Sequence, residues 1–169
     1  ASMSEQLPYR RDTVLNLLKE AGIGLEEVDV FVGRGGGLIA MEGGTYGVTD
    51  LMLEHARTCA NGVIHPAALG SQLANEFAQA YGAKAMVVNP PDVDELHDLA
   101  RMTGIRGIHR IIHLYALNLK ETAIRHSKNV MKKPYGECSY VVCHIGGGIS
   151  ISAHEKGRMI DGYDIVGGE

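Results

Sequence analysis

The stretch that decides the fold is residues 139–163, SYVVCHIGGGISISAHEKGRMIDGY. Its β-branched and apolar residues predict strands over 139–145, 149–154 and 158–163. Three glycines separate the first two strands, and Glu155-Lys156-Gly157 is a hairpin turn signal between the second and the third. We therefore expect two consecutive hairpins, with a glycine loop directly after the first strand.

Upstream of this stretch, helical and strand patterns alternate. The spacing of apolar residues and the positions of glycines predict helices over 8–21, 66–81 and 111–128, and a short acidic helical segment over 92–101. Another helix is expected to be capped by Thr49 or Asp50 and to end near Cys59. Strands are predicted over 28–32, 43–48 and 85–88. The apolar face of the longest helix is expected to hold Leu114, Leu117, Ala123 and Ile124. These patterns indicate an α/β protein, and lysine, proline and glycine gather at a candidate boundary over 128–138.

The composition narrows the class of protein. The 169 residues carry a net charge of −4 and include 22 glycines and three cysteines. A negative net charge argues against a partner that is a nucleic acid, and no apolar run approaches the about 18 residues of a membrane helix. The cysteines form no C-x-x-C pair, which argues against a disulfide framework and a zinc site and favours a reducing cytoplasm. The length suggests about one domain.

A glycine-rich loop follows the strand predicted over 28–32. Its sequence, Gly33-Arg34-Gly35-Gly36-Gly37, allows backbone N–H groups to approach an anion closely. The Arg34 guanidinium can bind two oxygens of a phosphate or a carboxylate at once. A tight loop with a surface arginine is the plainer interpretation. Because a charged residue among glycines is less common after a buried strand, we interpret the loop as an anion site.

A second glycine loop lies inside the fold-deciding stretch. His144 and the glycines Gly146, Gly147 and Gly148 stand between two predicted strands, in a pattern that resembles a phosphate-binding hairpin. The loop has neither the G-K-[ST] of a P-loop nor the spacing of a dinucleotide-binding fingerprint. A plain hairpin turn stays equally open on local grounds. A further pair, Gly167-Gly168, begins another glycine cluster.

Histidines provide a second set of candidate groups. His65 and His113 stand where a predicted loop meets a helix, a place at which an imidazole can help to bind an anion. The alternative is a structural histidine whose ring is satisfied by backbone groups. That alternative is our interpretation of the remaining histidines, which are His55, His97, His109, His126 and His154. No H-E-x-x-H motif indicates a metal site.

Polar residues also follow the strand predicted over 85–88. Asn89, Asp92, Asp94 and Glu95 stand at the carboxyl end of this strand, where α/β sheets bind ligands. The plainer interpretation is helix capping by Asp92 and solvated charge at Asp94 and Glu95. Taken together, glycine loops, an arginine and histidines suit phosphoryl or acyl-phosphate chemistry, in which catalysis depends on positioning and charge neutralisation.

Three motifs, in this order, resemble one enzyme family: VGRGGGL at 32–38, GTY at 44–46 and HIGGGISISAHEKGRMID at 144–161. They are similar to motifs of butyrate kinases, which belong to the acetate kinase family within the superfamily of acetate and sugar kinases, heat-shock 70 proteins and actin. The resemblance extends from about residue 5 to residue 169. It implies an α/β, ribonuclease H-like (actin-like ATPase) fold, incomplete here, with a mixed sheet and flanking helices.

The resemblance also implies a reaction and roles for residues. The family transfers the γ-phosphate of ATP reversibly to a short-chain carboxylate such as butyrate, giving an acyl phosphate and ADP, with Mg²⁺. Arg34, with Gly35 and Gly36, matches the loop whose arginine neutralises the substrate carboxylate and the phosphoryl group, and His65 matches a histidine near the substrate pocket. His113 matches the histidine that stabilises the transferring phosphoryl group. His144 and Gly146 to Gly148 match the loop that contacts nucleotide phosphates.

The chain also departs from the family pattern. Asn89 stands where acetate kinases carry an active-site aspartate, and an amide can neither act as a base nor carry charge to a metal; Asp92 and Asp94 are candidates to compensate. An Asn-Pro-Gly-Ser segment before Val28, a second arginine and an adenine pocket are not found. We expect the rest of a carboxylate-binding domain over 5–132, the opening strands of a nucleotide-binding domain over 138–169, and little or no turnover.

Two further expectations follow from such a partial fold. Strand edges and apolar faces that are normally covered would be exposed, so we expect a homodimer or strand exchange. The alternative function is a non-catalytic ligand-binding or assembly module that uses the same glycine and arginine loops. Acetate, propionate and a branched-chain acid stay open as substrates in place of butyrate.

Overall fold

The chain forms two compact units in the computed structural model, which describes residue 3 and residues 5–164. The first unit runs up to Ile39 and continues over Gly44–Val88, and the second holds Ala40–Gly43 and the chain from Asn89 onward. The domains predicted over 5–132 and 138–169 have other bounds and stay a prediction. The Gly167-Gly168 cluster and the end of the second predicted domain lie outside the described residues.

The first unit is a small mixed sheet with helices beside it. Its helices are α1 (Gln6–Glu20), α2 (Asp50–Thr58) and α3 (Leu69–Tyr81), and its strands are β1 (Val30–Gly33), β2 (Thr45–Gly47) and β3 (Lys84–Val88). The strand order is β1-β3-β2, with β1 parallel and β2 antiparallel to β3. Buried Ala74 and Phe77 of α3 and Val87 of β3 belong to its core.

Local signals set the ends of these helices as predicted. The Thr49 hydroxyl accepts a hydrogen bond from the Met52 N–H at 3.2 Å, which caps α2. Gly82 has a φ of +68°, the left-handed conformation that glycine adopts without steric cost, and α3 ends there. The predicted helices over 8–21 and 66–81 are confirmed, except that the second begins with a 3₁₀ turn at Pro66–Ala68.

The second unit is an antiparallel sheet packed against one helix. Its elements are α4 (Ala116–His126), β4 (Tyr140–Ile145), β5 (Ile149–Glu155) and β6 (Arg158–Asp164), with strand order β4-β5-β6. Lys156 and Gly157 both have positive φ, 49° and 82°, the pair of angles that a two-residue hairpin requires. The three strands and both hairpins predicted from residues 139–163 are confirmed. Leu114, Leu119, Val142 and Met159 form part of the buried core.

Two predicted helices are shorter than expected. The helix predicted over 111–128 begins at Ala116, because residues before it alternate in burial, with Ile112 and Leu114 in the core; Leu117 is 40% exposed and does not belong to the apolar face. The acidic segment over 92–101 is helical only as a 3₁₀ turn at Asp98–Arg101. Its first residues bond to segment 40–43 instead: the Asp94 N–H donates to the Met41 carbonyl at 2.9 Å. None of the helices in the described part could span a membrane.

Candidate functional site

The Arg34 loop is shaped by close contact between two backbones in the first unit. A methyl group on Gly33 would lie 2.2 Å from the Gly70 carbonyl oxygen, and one on Gly70 would lie 2.9 Å from the Gly35 nitrogen. Glycine on both sides lets the end of β1 touch the first turn of α3. Gly35, Gly36 and Gly37 have φ of +74°, +139° and +70°, which other residues rarely adopt. Arg34 is exposed on this loop.

His65 is brought to the same place by the turn that starts at Pro66. Its Nδ1 accepts a hydrogen bond from the Ala67 N–H at 3.1 Å, so the neutral ring carries its proton on the exposed Nε2. Ala67 is also the residue that Gly36 touches, since a methyl group on Gly36 would lie 2.7 Å from the Ala67 Cβ. The first unit thus assembles Arg34, Gly35, Gly36 and His65 around one loop.

An apolar cavity of about 320 Å³ adjoins this loop within the first unit. Arg34 and Gly33 lie at its wall, together with Phe31, Leu73 and Phe77. A cationic side chain beside an apolar cavity suits a ligand with one anionic end and an aliphatic chain.

The second unit gathers a different set of residues around His144. The Tyr115 ring stacks on the imidazole with centroids 4.2 Å apart, and the Asn118 amide nitrogen donates to His144 Nδ1 at 2.7 Å. A methyl group on Gly148 would lie 2.6 Å from the Tyr115 hydroxyl oxygen. His113 stands two residues before Tyr115, and burial alternates in this segment: Ile112 and Leu114 are buried, whereas His113 and Tyr115 are partly exposed.

Asn89 follows β3 in an unusual backbone conformation. It is buried and has a φ of +41°, in the left-handed region where asparagine is among the few tolerated residues. Asp92 is 2% exposed, and no helix begins beside it: the 3₁₀ turn that follows is capped by His97. The expectation that Asp92 caps a helix is therefore wrong.

The charges of Asp94 and Glu95 are paired with cations and are not solvated as the plainer interpretation expected. Both Asp94 oxygens accept from the Arg101 guanidinium, at 2.6 and 2.8 Å. Glu95 is buried and accepts from Lys120 Nζ at 2.7 and 3.0 Å, and the Gly43 and Met159 N–H groups complete its shell. The sequence does not show which cation pairs with Glu95, because Lys120 lies 25 residues further along the chain.

Burial and pairing set the protonation of this network. Burial alone would raise the pKa of Glu95, but hydrogen bonds from Lys120, Met159 and Gly43 outweigh it and lower the pKa. Burial and then Lys120 lower the pKa of His154 to about 4, so this ring is neutral at neutral pH. His154 lies 2.6 Å from both the Tyr135 hydroxyl and the Ser152 hydroxyl. Its role is structural as predicted, although side chains satisfy its ring instead of the backbone.

Sequence reasoning missed three residues of the second unit. Tyr115, Asn118 and Lys120 all belong to the region predicted as one long helix. The period-2 pattern of Ile112 and Leu114 would have placed Tyr115 on the face of His113. A lysine four residues after Ala116, on the buried face of α4, is the signal that would have revealed Lys120 as one member of a buried ion pair.

Comparisons with known proteins agree with the resemblance seen in the motifs. No protein-family profile matches the chain. The chain is 44% identical over 162 residues to a probable butyrate kinase of Elusimicrobium minutum, covering 96% of this chain and 43% of the relative. It is 39% identical over 165 residues to butyrate kinase 2 of Clostridium acetobutylicum, covering 98% and 46%. A probable butyrate kinase of Clostridium botulinum is 35% identical, with the same coverage.

Solved structures define the fold. The crystal structure of acetate kinase from Porphyromonas gingivalis matches 90% of this chain and 41% of its own length, with a TM-score of 0.62 at 16% identity. A propionate kinase from Francisella tularensis matches 90% and 41%, with a TM-score of 0.61 at 17% identity. The fold is therefore the actin-like ATPase fold of the acetate and propionate kinases. In sequence, the chain is similar to butyrate kinases over almost all of its residues, and it spans under half of their length.

Proposed function

We propose that the protein is a short-chain carboxylate kinase that transfers the γ-phosphoryl group of ATP to butyrate, giving butanoyl phosphate and ADP. The observation that carries the proposal is the Arg34 loop, in which glycines on both β1 and α3 hold a cation beside an apolar cavity. Homology to butyrate kinases at 35–44% identity supports the same assignment.

The Arg34 loop is proposed as the carboxylate half of the site. Arg34 would bind the carboxylate oxygens in a bidentate manner, Gly35 and Gly36 would leave the backbone accessible, and His65 would offer its Nε2–H as a second donor. The apolar cavity next to Arg34 supports an aliphatic chain on the substrate. Acetate, propionate and branched-chain acids are tested alongside butyrate, because side chains around the cavity decide the chain length that binds.

The His144 loop is proposed as the half that contacts nucleotide phosphates. Position 148 needs glycine, because a side chain there would collide with the Tyr115 ring. At Gly147 a side chain would meet nothing within 4 Å, and the φ of Gly147 is not in the left-handed region. A simple turn therefore does not require glycine at 147. A ligand that approaches the backbone closely would require it, as phosphate loops do.

The proposed chemistry is an in-line displacement. One carboxylate oxygen attacks the γ-phosphorus, the bond from that phosphorus to the β–γ bridging oxygen breaks, and ADP leaves with the electron pair. Arg34 neutralises the attacking carboxylate, and His113 is proposed to donate a hydrogen bond to the transferring phosphoryl oxygens. Asn89 offers an amide, so it can donate or accept a hydrogen bond but cannot act as a base.

ATP and Mg²⁺ enter the proposal as substrate and accompanying ion. No group of three histidine, cysteine, aspartate or glutamate side chains in the described part of the chain could hold a metal ion. Mg²⁺ that arrives on nucleotide phosphates needs only one or two carboxylates. Asp92, which is buried shortly after the end of β3, is the candidate here.

Titration calorimetry with Arg34→Ala tests the carboxylate half of the site. We expect butyrate to bind the parent chain and to bind Arg34→Ala about tenfold or more weakly, because a charge-assisted bidentate contact is lost. Arg10→Ala, on the exposed face of α1, is the matched control and should bind like the parent. Equal butyrate affinity in all three proteins would reject the assignment of Arg34.

An acyl-phosphate assay with butyrate and Mg-ATP completes this experiment. We expect little turnover from the 169-residue chain, since rate acceleration requires both substrates to be positioned at once. Turnover at the 1–100 s⁻¹ typical of kinases would contradict that expectation. Binding of neither butyrate nor Mg-ATP would favour the alternative, an assembly module without catalysis.

We also propose that the chain forms a homodimer in a reducing cytoplasm. One face of the β4-β5-β6 sheet supports this, because Val141, Ile145 and Tyr163 are 77%, 76% and 55% exposed. In the first unit, β1 is an edge strand whose Val32 is 59% exposed. Light scattering after size-exclusion chromatography should show twice the chain mass, and a single monomer peak at micromolar concentration would exclude the dimer.

A further inference from the structure

Two residues outside the predicted site hold the ring of His144. The Tyr115 ring lies against it with 24° between the planes and 4.2 Å between the centroids. The Asn118 amide nitrogen lies 2.7 Å from His144 Nδ1. The stack restricts the tilt of the imidazole, and the hydrogen bond decides which of its edges turns toward α4.

The hydrogen bond also sets the tautomer of His144. An amide –NH₂ group can only donate, so Nδ1 accepts and the neutral ring carries its proton on Nε2. A proton on Nδ1 would face the amide hydrogens and lose the bond. His144 therefore presents an N–H donor on the edge that faces away from Asn118, and an N–H donor is the group that a phosphate oxygen binds.

Tyr115 reaches the next strand as well. Its N–H donates to the Ser150 hydroxyl at 3.4 Å, and Ser150 on β5 is the register partner of His144 on β4. Its hydroxyl fills the space that a side chain at Gly148 would occupy. One residue therefore contacts the histidine before the turn, the glycine that ends the turn and the strand after it.

We propose that Tyr115 and Asn118 are positioning residues that fix His144 in the Nε2–H tautomer, ready to bind an anion at the 146–148 turn. The inference rests on the proposed function, because it takes this turn as a phosphate site. It assigns a role to two residues that need not touch the phosphate themselves.

The tautomer is measured directly by NMR of the ¹⁵N-labelled histidine rings. In the parent chain the neutral His144 ring should carry its proton on Nε2. Asn118→Asp replaces the donor with an acceptor, so the proton of the neutral ring should move to Nδ1. Asn118→Leu removes the donor without adding charge, and a mixture of tautomers is expected.

Titration with inorganic phosphate links the tautomer to binding. We expect phosphate affinity to fall about tenfold in Asn118→Asp and about threefold in Asn118→Leu, since one hydrogen bond to a charged group is weakened. Asn75→Asp on α3 adds the same charge in the other unit and should change neither measurement. Tyr115→Leu removes the stack, so it should broaden the His144 signals and weaken phosphate binding a few-fold.

The two measurements distinguish a failure of the positioning role from a failure of the phosphate function of the loop. A parent ring with its proton on Nδ1, or an unchanged tautomer in both Asn118 variants, would overturn the proposed positioning role. A tautomer that responds as expected in a chain that binds no phosphate would support the positioning of His144 and reject the phosphate function of the loop.

Discussion

Lys120→Met is expected to lower the free energy of unfolding by about 3–5 kcal/mol, because it leaves the carboxylate of Glu95 buried without its cation. Glu95 and Lys120 are only 6% exposed, and the contact between them is 2.7 Å. Lys120 also donates to the Gly157 carbonyl in the β5–β6 turn at 3.2 Å. Urea unfolding followed by far-ultraviolet circular dichroism gives the comparison with the parent.

Two further variants identify the cause of this loss. Glu95→Gln/Lys120→Met removes both charges and should recover about half of it, since the remaining amide can still accept one of the backbone N–H groups. Lys128→Met changes an exposed lysine and should stay within about 0.5 kcal/mol of the parent. A loss below about 1 kcal/mol for Lys120→Met would show that the pair is solvated in solution.

Gly33→Ala is expected to cost about 3 kcal/mol or more and to weaken butyrate binding together with stability. The added methyl group would lie 2.2 Å from the Gly70 carbonyl oxygen and 2.9 Å from the Ser71 nitrogen, so backbone atoms must move apart. Separation of β1 from α3 would also displace Arg34, the next residue. Urea unfolding and butyrate calorimetry measure the two effects.

Gly47→Ala is the matched control for Gly33→Ala. Gly33 and Gly47 each end a strand of the same sheet, but a methyl group on Gly47 meets nothing within 4 Å. The change should leave stability unchanged or raise it by about 0.5–1 kcal/mol, because alanine loses less backbone entropy on folding. If both alanine variants lost stability equally, the loss would reflect strand glycines in general, and the close contact with Gly70 would not be its cause.

Local signals made much of this fold predictable. Three features depend only on neighbours within a few positions, and each was predicted: the two hairpins of residues 139–163, the Thr49 cap and the glycine that ends α3. The start of α4 was not, because residues 111–115 carry apolar residues that fit both a helix and an extended segment. In the structure these residues lie outside the helix, and Ile112 and Leu114 are buried in the core.

In the candidate site, too, residues in local sequence patterns could be predicted, whereas residues that depend on distant contacts could not. Arg34, His65 and the glycine turns could be proposed as site residues from the sequence alone, because glycines and charged residues beside strands and helix starts are local patterns. Glu95 and Asp94 were misjudged as solvated, since each is paired with a cation further along the chain. Tyr115 and Asn118 were missed because their contact with His144 joins residues 26 or more positions apart.

The sequence by itself determined the α/β class, the positions of both glycine loops and the resemblance to butyrate kinases, all of which are encoded in short stretches of adjacent residues. Only the tertiary structure decided which side chains those loops meet. Burial removes water as a partner, so a buried carboxylate or imidazole must find its hydrogen bonds among whatever groups the fold brings near. Those partners are Lys120 for Glu95, at 2.7 Å, and the hydroxyls of Tyr135 and Ser152 for His154, both at 2.6 Å.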